Sequence, residues 1–397
     1  MNSLISVKLY SFTTRNSLQD FGGKVKGKNE RNPEKIARLH QKWLADLRGC
    51  AYAGEEQTER GERMVFDAHS DLLYDVTRRR LLGEHQVLAR LHLDRLRRGG
   101  VEGLVLAVWA SGPRETFWKD TAWRDPEAYL GRTHQMFACA RAELRECGRI
   151  RPVRTVAEAE AARAAGQLYA FLAVEGMSAV GADPRGVDWY YGQGVRLGML
   201  TWNESNALAA GAGGDPQAGL TEAGRRAVRR MGELGMAVDV SHLNDGGFWE
   251  VVDLAAGPMI ATHSNCRALC GVPRNLTDDQ LRAIRDTGGV VGLNAFHGFV
   301  HDEPRQQTAR TLALHAAHMA EVMGVEHVGC GFDFCAFMGP GNEGAEGLES
   351  AAHIQNLFYW LEQLGMSRQE REMIARDNFL RVLRQILDRK GNSQNRI

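Results

Sequence analysis

The alternation of brief apolar runs with longer amphipathic stretches constrains this chain more than any other feature. The runs 64–68, 103–110, 169–174, 196–201, 237–240, 259–262, 290–295 and 327–331 are mostly apolar and too short for helices, so each reads as a buried strand. Between them, the segments 86–98, 127–146, 156–165, 221–234, 247–255, 277–287 and 305–322 carry helical periodicity. Thr221 and Thr277, each with an acidic residue just after it, are N-terminal helix signals. Eight strands interleaved with helices predict an α/β fold, a single (β/α)8 TIM-type barrel over residues 61–390. An open doubly wound sheet is the alternative. It gains no support from a dinucleotide fingerprint, because the first run continues as Phe66-Asp67-Ala68-His69-Ser70-Asp71. The glycine-rich run 211–214 lacks the Lys-Ser/Thr of a phosphate loop and reads as a flexible connection.

The two ends differ from this pattern. Residues 1–60 read as a poorly ordered or partly helical extension: 22–35 is rich in Lys, Asn and Gly, and a short helix is expected near 36–47. Residues 391–397 read as a frayed tail. The 49 basic and 49 acidic residues balance, which disfavours nucleic acid or an anionic membrane as the default partner. The 7 cysteines include no CxxC pair, a pattern of reduced thiols rather than a disulfide framework. No signal-peptide pattern opens the chain and no apolar run approaches the ~18 residues of a membrane helix, so a cytoplasmic protein without a membrane anchor is expected by elimination.

Barrel enzymes carry their reacting groups at the C-terminal ends of the strands. Here those positions hold His69 and Asp71, Glu175, Asn203 and Asn206, His242, His263 and Asp333. Residues two apart on a strand share a face, so His69 and Asp71 can converge on one cation. Glu175 can bridge to a second cation completed by His242 and His263. Imidazole and carboxylate ligands suit zinc, and also manganese, cobalt or iron(II). Two such ions would activate a water and polarise a carbonyl. A lone histidine at a strand end is more often a hydrogen-bonded structural residue; the weight lies in matching residue types at several strand ends. His315, His318 and His353 fall on helical stretches and read as packing or surface residues, whereas His297 could approach the site.

At these residues the chain resembles the membrane (renal-type) dipeptidase family of metal-dependent amidohydrolase-like barrels. The markers are Asp67-Ala68-His69-Ser70-Asp71, Glu175-Gly176, Gly219-Leu220-Thr221, Ser241-His242, His263-Ser264, Pro273-Arg274-Asn275, Gly331-Phe332-Asp333-Phe334 and Asn378-Phe379-Leu380-Arg381. The resemblance implies that His69 and Asp71 bind one metal, that His242 and His263 bind the other, and that Glu175 bridges them. It further implies that Arg274 holds the substrate carboxylate and that Asp333 moves the proton from a bridging hydroxide to the leaving amine. The chain departs from the family pattern at Trp202, where a histidine contacting the scissile carbonyl is common, and at Cys335, where a second Asp often stands.

The expected protein is therefore a binuclear zinc metallodipeptidase with Asp333 as the catalytic residue and a small peptide as its partner. Arg274, Asn203, Asn206 and Trp202 are its expected substrate contacts, and a homodimer is compatible with the sequence. Two alternatives stay open: hydrolysis of a lactone, an N-acyl amide or a phosphoester, and a metal-binding barrel without catalysis. The first strand's His-x-Asp and the absence of a lysine suited to carbamylation after the fourth favour the dipeptidase.

Overall fold

The computed structural model describes residues 64–110, 126–181, 183 and 185–388. The expected extension at 1–60, with its short helix, and the tail at 391–397 lie outside the described residues. The chain divides into two units at residue 60, and every described residue belongs to the unit Gly61–Ile397.

The strands are β1 (Val65–Ser70), β2 (Val101–Val108), β3 (Ile150–Pro152), β4 (Leu168–Glu175), β5 (Val195–Met199), β6 (Ala237–Asp239), β7 (Ile260–Ala261), β8 (Val290–Leu293) and β9 (Val328–Cys330). Eight of them run β1-β2-β4-β5-β6-β7-β8-β9 with every pairing parallel, and β3 pairs only with the outer part of β4. The seam between β9 and β1 is stitched by a side chain: Phe332 N–H donates to Asp67 Oδ1 at 2.9 Å, and Asp333 N–H donates to the His69 carbonyl at 3.3 Å. The eight apolar runs are thus the staves of the expected parallel barrel. β3 was not anticipated, because three residues including Arg151 and Pro152 carry no strand periodicity.

Side-chain alternation sorts the core into two layers. Phe66, Val105, Phe171, Leu197, Ala237, Ile260 and Val290, drawn from seven staves, form one cluster that fills the barrel interior. Leu104, Leu106, Ala170, Leu172 and Val174 point the other way and pack with the helices. Helix caps fix where the surrounding helices start. Thr221 accepts Gly224 N–H to open Glu222–Leu234, which ends at Gly235 in the left-handed conformation (φ 69°). Thr277 and Gln280 form a reciprocal box that opens Asp278–Asp286.

Candidate metal centre

Strand alternation and two local irregularities aim the polar residues. Glu175 lies two residues past Ala173 and four past Phe171, so it continues the inward face of β4 to the barrel mouth. In β1 the pairing advances from Asp67 to Ser70 while β2 advances only from Leu104 to Leu106. This bulge re-aims the residues between, including His69. His242 and Asp333 lie just beyond β6 and β9 with φ of 68° and 58°, and Gln86 is the only other described non-glycine residue with positive φ. Holding such residues there costs on the order of 1 kcal/mol or more; both are chemistry-bearing residues at the same mouth.

The five sequence-derived ligand candidates meet. Glu175 Oε2 is 3.6 Å from His69 Nε2, and His69 Nε2 is 3.6 Å from Asp71 Oδ1. Glu175 Oε1 is 2.7 Å from His242 Nε2 and 3.6 Å from His263 Nε2. The two oxygens of one carboxylate therefore face two different groups. Asp333 Oδ1 is 4.0 Å from His69 Nε2, and ligand atoms of His69, Asp71 and Asp333 lie within 4.8 Å of one another, as do those of His69, Glu175 and His263.

Hydrogen bonds fix the tautomers of two imidazoles. His242 Nδ1 meets Asn203 Oδ1, an acceptor, at 2.8 Å, so Nδ1 carries the proton. Thr262 Oγ1 donates to Asp239 Oδ2, so it can only accept from His263 Nδ1, 2.8 Å away. Both Nε2 atoms are then bare lone pairs, 2.9 Å apart and facing Glu175. Acceptors crowded on acceptors repel unless a cation joins them. His69 is fully buried, and among the described residues neither of its ring nitrogens is hydrogen-bonded and Asp71 Oδ1 and Glu175 Oε2 also lack hydrogen-bond partners. Buried groups left in this state are costly, and a divalent ion would satisfy all of them.

The electrostatics agree. Burial, reinforced by Asp71, pushes the Glu175 carboxyl up to about 8. Burial opposes the His69 cation, yet Glu175 and Asp71 draw its pKa well above the ordinary imidazole value. Burial holds His242 and His263 well below that value, as neutral ligands require. Arg274 is buried and lowered to about 10 by desolvation, so it remains a cation at neutral pH. Its Nη2 donates to the His263 carbonyl at 3.2 Å; Nε has no hydrogen-bond partner among the described residues, and the guanidinium lies 5.4 Å from the Phe299 ring centroid.

Around the centre, Asn294 Nδ2 donates to Asp333 Oδ2 at 3.0 Å, and the Cys335 thiol sits 3.5 Å from Asp333 Oδ1 and 3.9 Å from Asp71 Oδ2. Asn206 spends its amide inside its own loop, donating to the Leu200 carbonyl at 2.7 Å and accepting from Leu208 N–H at 2.8 Å. The 211–214 run is no slack connection: Ala212 N–H donates to the His242 carbonyl at 2.7 Å and Gly213 N–H to the Asn203 carbonyl at 2.9 Å. A Cβ on Gly211 would lie 2.1 Å from the Trp202 carbonyl oxygen, so only glycine lets these segments touch. His297 is tied to Gln307 Oε1 and the Gly341 carbonyl, at 3.0 and 3.2 Å. His315 is a packing residue between Cys266 N–H and the Val300 carbonyl, at 3.1 and 2.8 Å.

Asp67, Asp239, Thr262, Asn265 and Asn294 were not singled out from the sequence. The signal that could have found the acids was a carboxylate inside an apolar run. Asp239 also accepts Ser241 and Thr262 N–H groups at 3.0 and 3.1 Å, and Asn265 clamps Asn294 by accepting its N–H at 3.0 Å. A cavity of about 450 Å3 lies near Tyr169, at the start of β4 and thus at the opposite mouth. Three of its arginines pair with acids, Arg163 with Glu102, Arg376 with Asp377 and Arg384 with Glu160, and Arg381 donates to the Gly288 and Glu326 carbonyls.

Comparison with known proteins matches this arrangement to one family. The family model described as membrane dipeptidase (peptidase family M19) matches residues 59–396. A protein of Klebsiella pneumoniae encoded in the pqqA 5′ region is 34% identical over 248 residues, covering 60% of this chain and 90% of that protein. An uncharacterized dipeptidase of Schizosaccharomyces pombe is 34% identical over 219 residues, 54% of this chain and only 52% of that protein. Among solved structures, dipeptidase AC, a metallopeptidase, superposes with a TM-score of 0.72 at 27% identity, covering 82% of this chain and 99% of that one. A Rhodobacter sphaeroides metallopeptidase liganded with a phosphinate mimic of the dipeptide L-Ala-D-Ala matches equally, with a TM-score of 0.72, 27% identity and the same 82% and 99% coverage. With the family model spanning the barrel from before β1 to beyond its last helix, the chain belongs to the membrane dipeptidase family, peptidase family M19.

Proposed function

We propose that the protein is a binuclear zinc dipeptidase in which Glu175 shares its carboxylate between two ions. The observation that carries this reading is the split of Glu175: Oε2 toward His69 and Oε1 toward His242 and His263. His69 and Asp71 would hold one ion, and His242 and His263 the other. The imidazole and carboxylate set suits zinc. When bound, two such ions supply Lewis acidity, polarising the scissile carbonyl and lowering the pKa of the attacking water.

The chain's own residues do the rest. Asp333, held through Oδ2 by Asn294, accepts the proton of the attacking water and delivers it to the amine as the C–N bond breaks and the C–O bond forms. Arg274, a desolvated cation with an unused Nε–H, takes the substrate's terminal carboxylate. Asn203 acts through His242 by fixing its tautomer, and Asn206 by closing the loop that carries Asn203. The six described cysteines are all free, which suits a reducing, cytoplasmic setting.

The test is a dipeptide screen on zinc-loaded protein. Because a structural relative is liganded with an L-Ala-D-Ala mimic, the panel includes D-residues at the C-terminal position. Cleavage by wild type, and its loss in Asp333→Asn with metal content retained, is the expected result. A wild type that holds zinc and cleaves no dipeptide contradicts the proposal.

A further inference from the structure

The mouth of the barrel carries an aromatic wall that the hydrolytic machinery does not use. Trp109 follows directly on β2, is buried, and lies 5.3 Å by ring centroid from Tyr74, in the first turn of the helix after Asp71. On its other side Trp109 lies 5.3 Å from Trp202, just past β5. Trp202 in turn lies 6.2 Å from the imidazole of His242. Three loops thus contribute one continuous run of rings ending at a candidate ligand. Trp202 is its partly exposed member, packed against the core. The indole is held in place by the close approach of Gly211 to the Trp202 carbonyl and by the Gly213–Asn203 backbone bond at 2.9 Å. A partly exposed indole on a constrained backbone presents apolar area at little entropic cost.

The order of groups across the mouth gives the wall an orientation. Arg274 bonds to the carbonyl of His263, the His263 and His242 Nε2 atoms are 2.9 Å apart, and the Trp202 ring lies 6.2 Å from that of His242. A dipeptide with its carboxylate on Arg274 and its scissile carbonyl at the imidazoles points its amino-terminal residue toward the indole.

We propose that Trp202, backed by Trp109, is the apolar wall of the subsite for the amino-terminal side chain, so that the enzyme favours dipeptides beginning with a bulky apolar residue. This inference rests on the dipeptidase reading. The buried Trp109 Nε1–H, which has no hydrogen-bond partner among the described residues, adds a donor that a bound acceptor would satisfy.

The test compares kcat/KM on an X-Ala series and an Ala-X series, with X as Gly, Ala, Leu or Phe, for zinc-loaded wild type, Trp202→Ala and Trp202→Phe. Wild type should prefer Leu-Ala over Gly-Ala by roughly 10-fold or more. Trp202→Ala should bring that ratio close to one, and Trp202→Phe should restore most of it. A second readout is independent of turnover: a phosphinic analogue of Leu-Ala should perturb tryptophan emission in wild type and much less in Trp202→Phe. An equal loss on every X-Ala substrate, or an effect confined to the Ala-X series, overturns the wall while leaving the dipeptidase reading intact. Failure of wild type to cleave either series with zinc in place removes the dipeptidase reading and the wall together.

Discussion

Replacing Thr262 by Val removes one hydroxyl and tests whether the second metal position depends on a chain of hydrogen bonds behind it. The side chains are nearly the same shape, so the change acts on bonding. Thr262 Oγ1 donates to Asp239 Oδ2 and accepts from His263 Nδ1, with all three residues buried. Valine leaves the His263 Nδ1–H without an acceptor and Asp239 Oδ2 without its donor. Each of the two orphaned buried groups costs about 1–3 kcal/mol, so the metal-free protein should lose roughly 2–6 kcal/mol in denaturant unfolding. His263 can relieve part of this by moving its proton to Nε2, which removes the lone pair that faces Glu175. Metal affinity should therefore fall about 10- to 100-fold, the usual consequence of cutting a bond behind a ligand. Competition against a chromogenic chelator reads the affinity. Thr262→Ser, which keeps the hydroxyl, should stay close to wild type. If Thr262→Val bound metal as tightly as wild type, the assignment of His263's tautomer to this chain would be refuted.

Three further outcomes follow from the same geometry. Arg274→Met should raise KM for dipeptides on the order of 100-fold, since it removes a buried charged partner, while dipeptide amides lacking the carboxylate should lose far less; equal losses on both would contradict the carboxylate role. Gly211→Ala would place a Cβ 2.1 Å from the Trp202 carbonyl oxygen, costing about 1–3 kcal/mol of overpacking and weakening metal binding through the displaced Asn203; unchanged melting and metal affinity would count against the tight approach. Burial pushes His315 down to about 4, so between that value and its unfolded value of ~6.5 the unfolded chain binds the extra proton. Its contribution is complete above pH 6.5 and is lost as pH falls toward 4, by roughly 3 kcal/mol, and His315→Asn should flatten the unfolding free energy over that window relative to wild type.

The barrel was legible because each stave is a short apolar run between helical stretches, and even β7, only two residues long as paired, sits inside a four-residue run, 259–262. Helix Leu72–Leu81 escaped notice because its last turn is Arg78, Arg79 and Arg80. Arg80 in that turn reaches the buried Glu143 at 2.8 Å. Helix Asn378–Leu387 was visible only as a family motif, although its Phe379 and Leu383 close the bottom of the interior cluster. Within the site, residues at strand ends could be read by position alone. Asp67 could not: its partner is the backbone of Phe332, 265 residues away. Asp239 and Asn294 likewise hold other side chains, Thr262 and Asp333, so their purpose appears only in three dimensions. Asn203 was expected as a substrate contact from its loop position, and its hydrogen bond to His242 appears only in the folded chain.

The central claim is that one carboxylate joins two cations, and metal titration of Glu175→Gln tests it most directly. Metal-free wild type titrated with zinc in a calorimeter should bind two equivalents per chain. In the variant both sites should weaken together, because each loses the same anionic partner, while the apo-protein stays folded. Two equivalents bound by Glu175→Gln with wild-type affinities, or a single equivalent bound by wild type, would contradict the account.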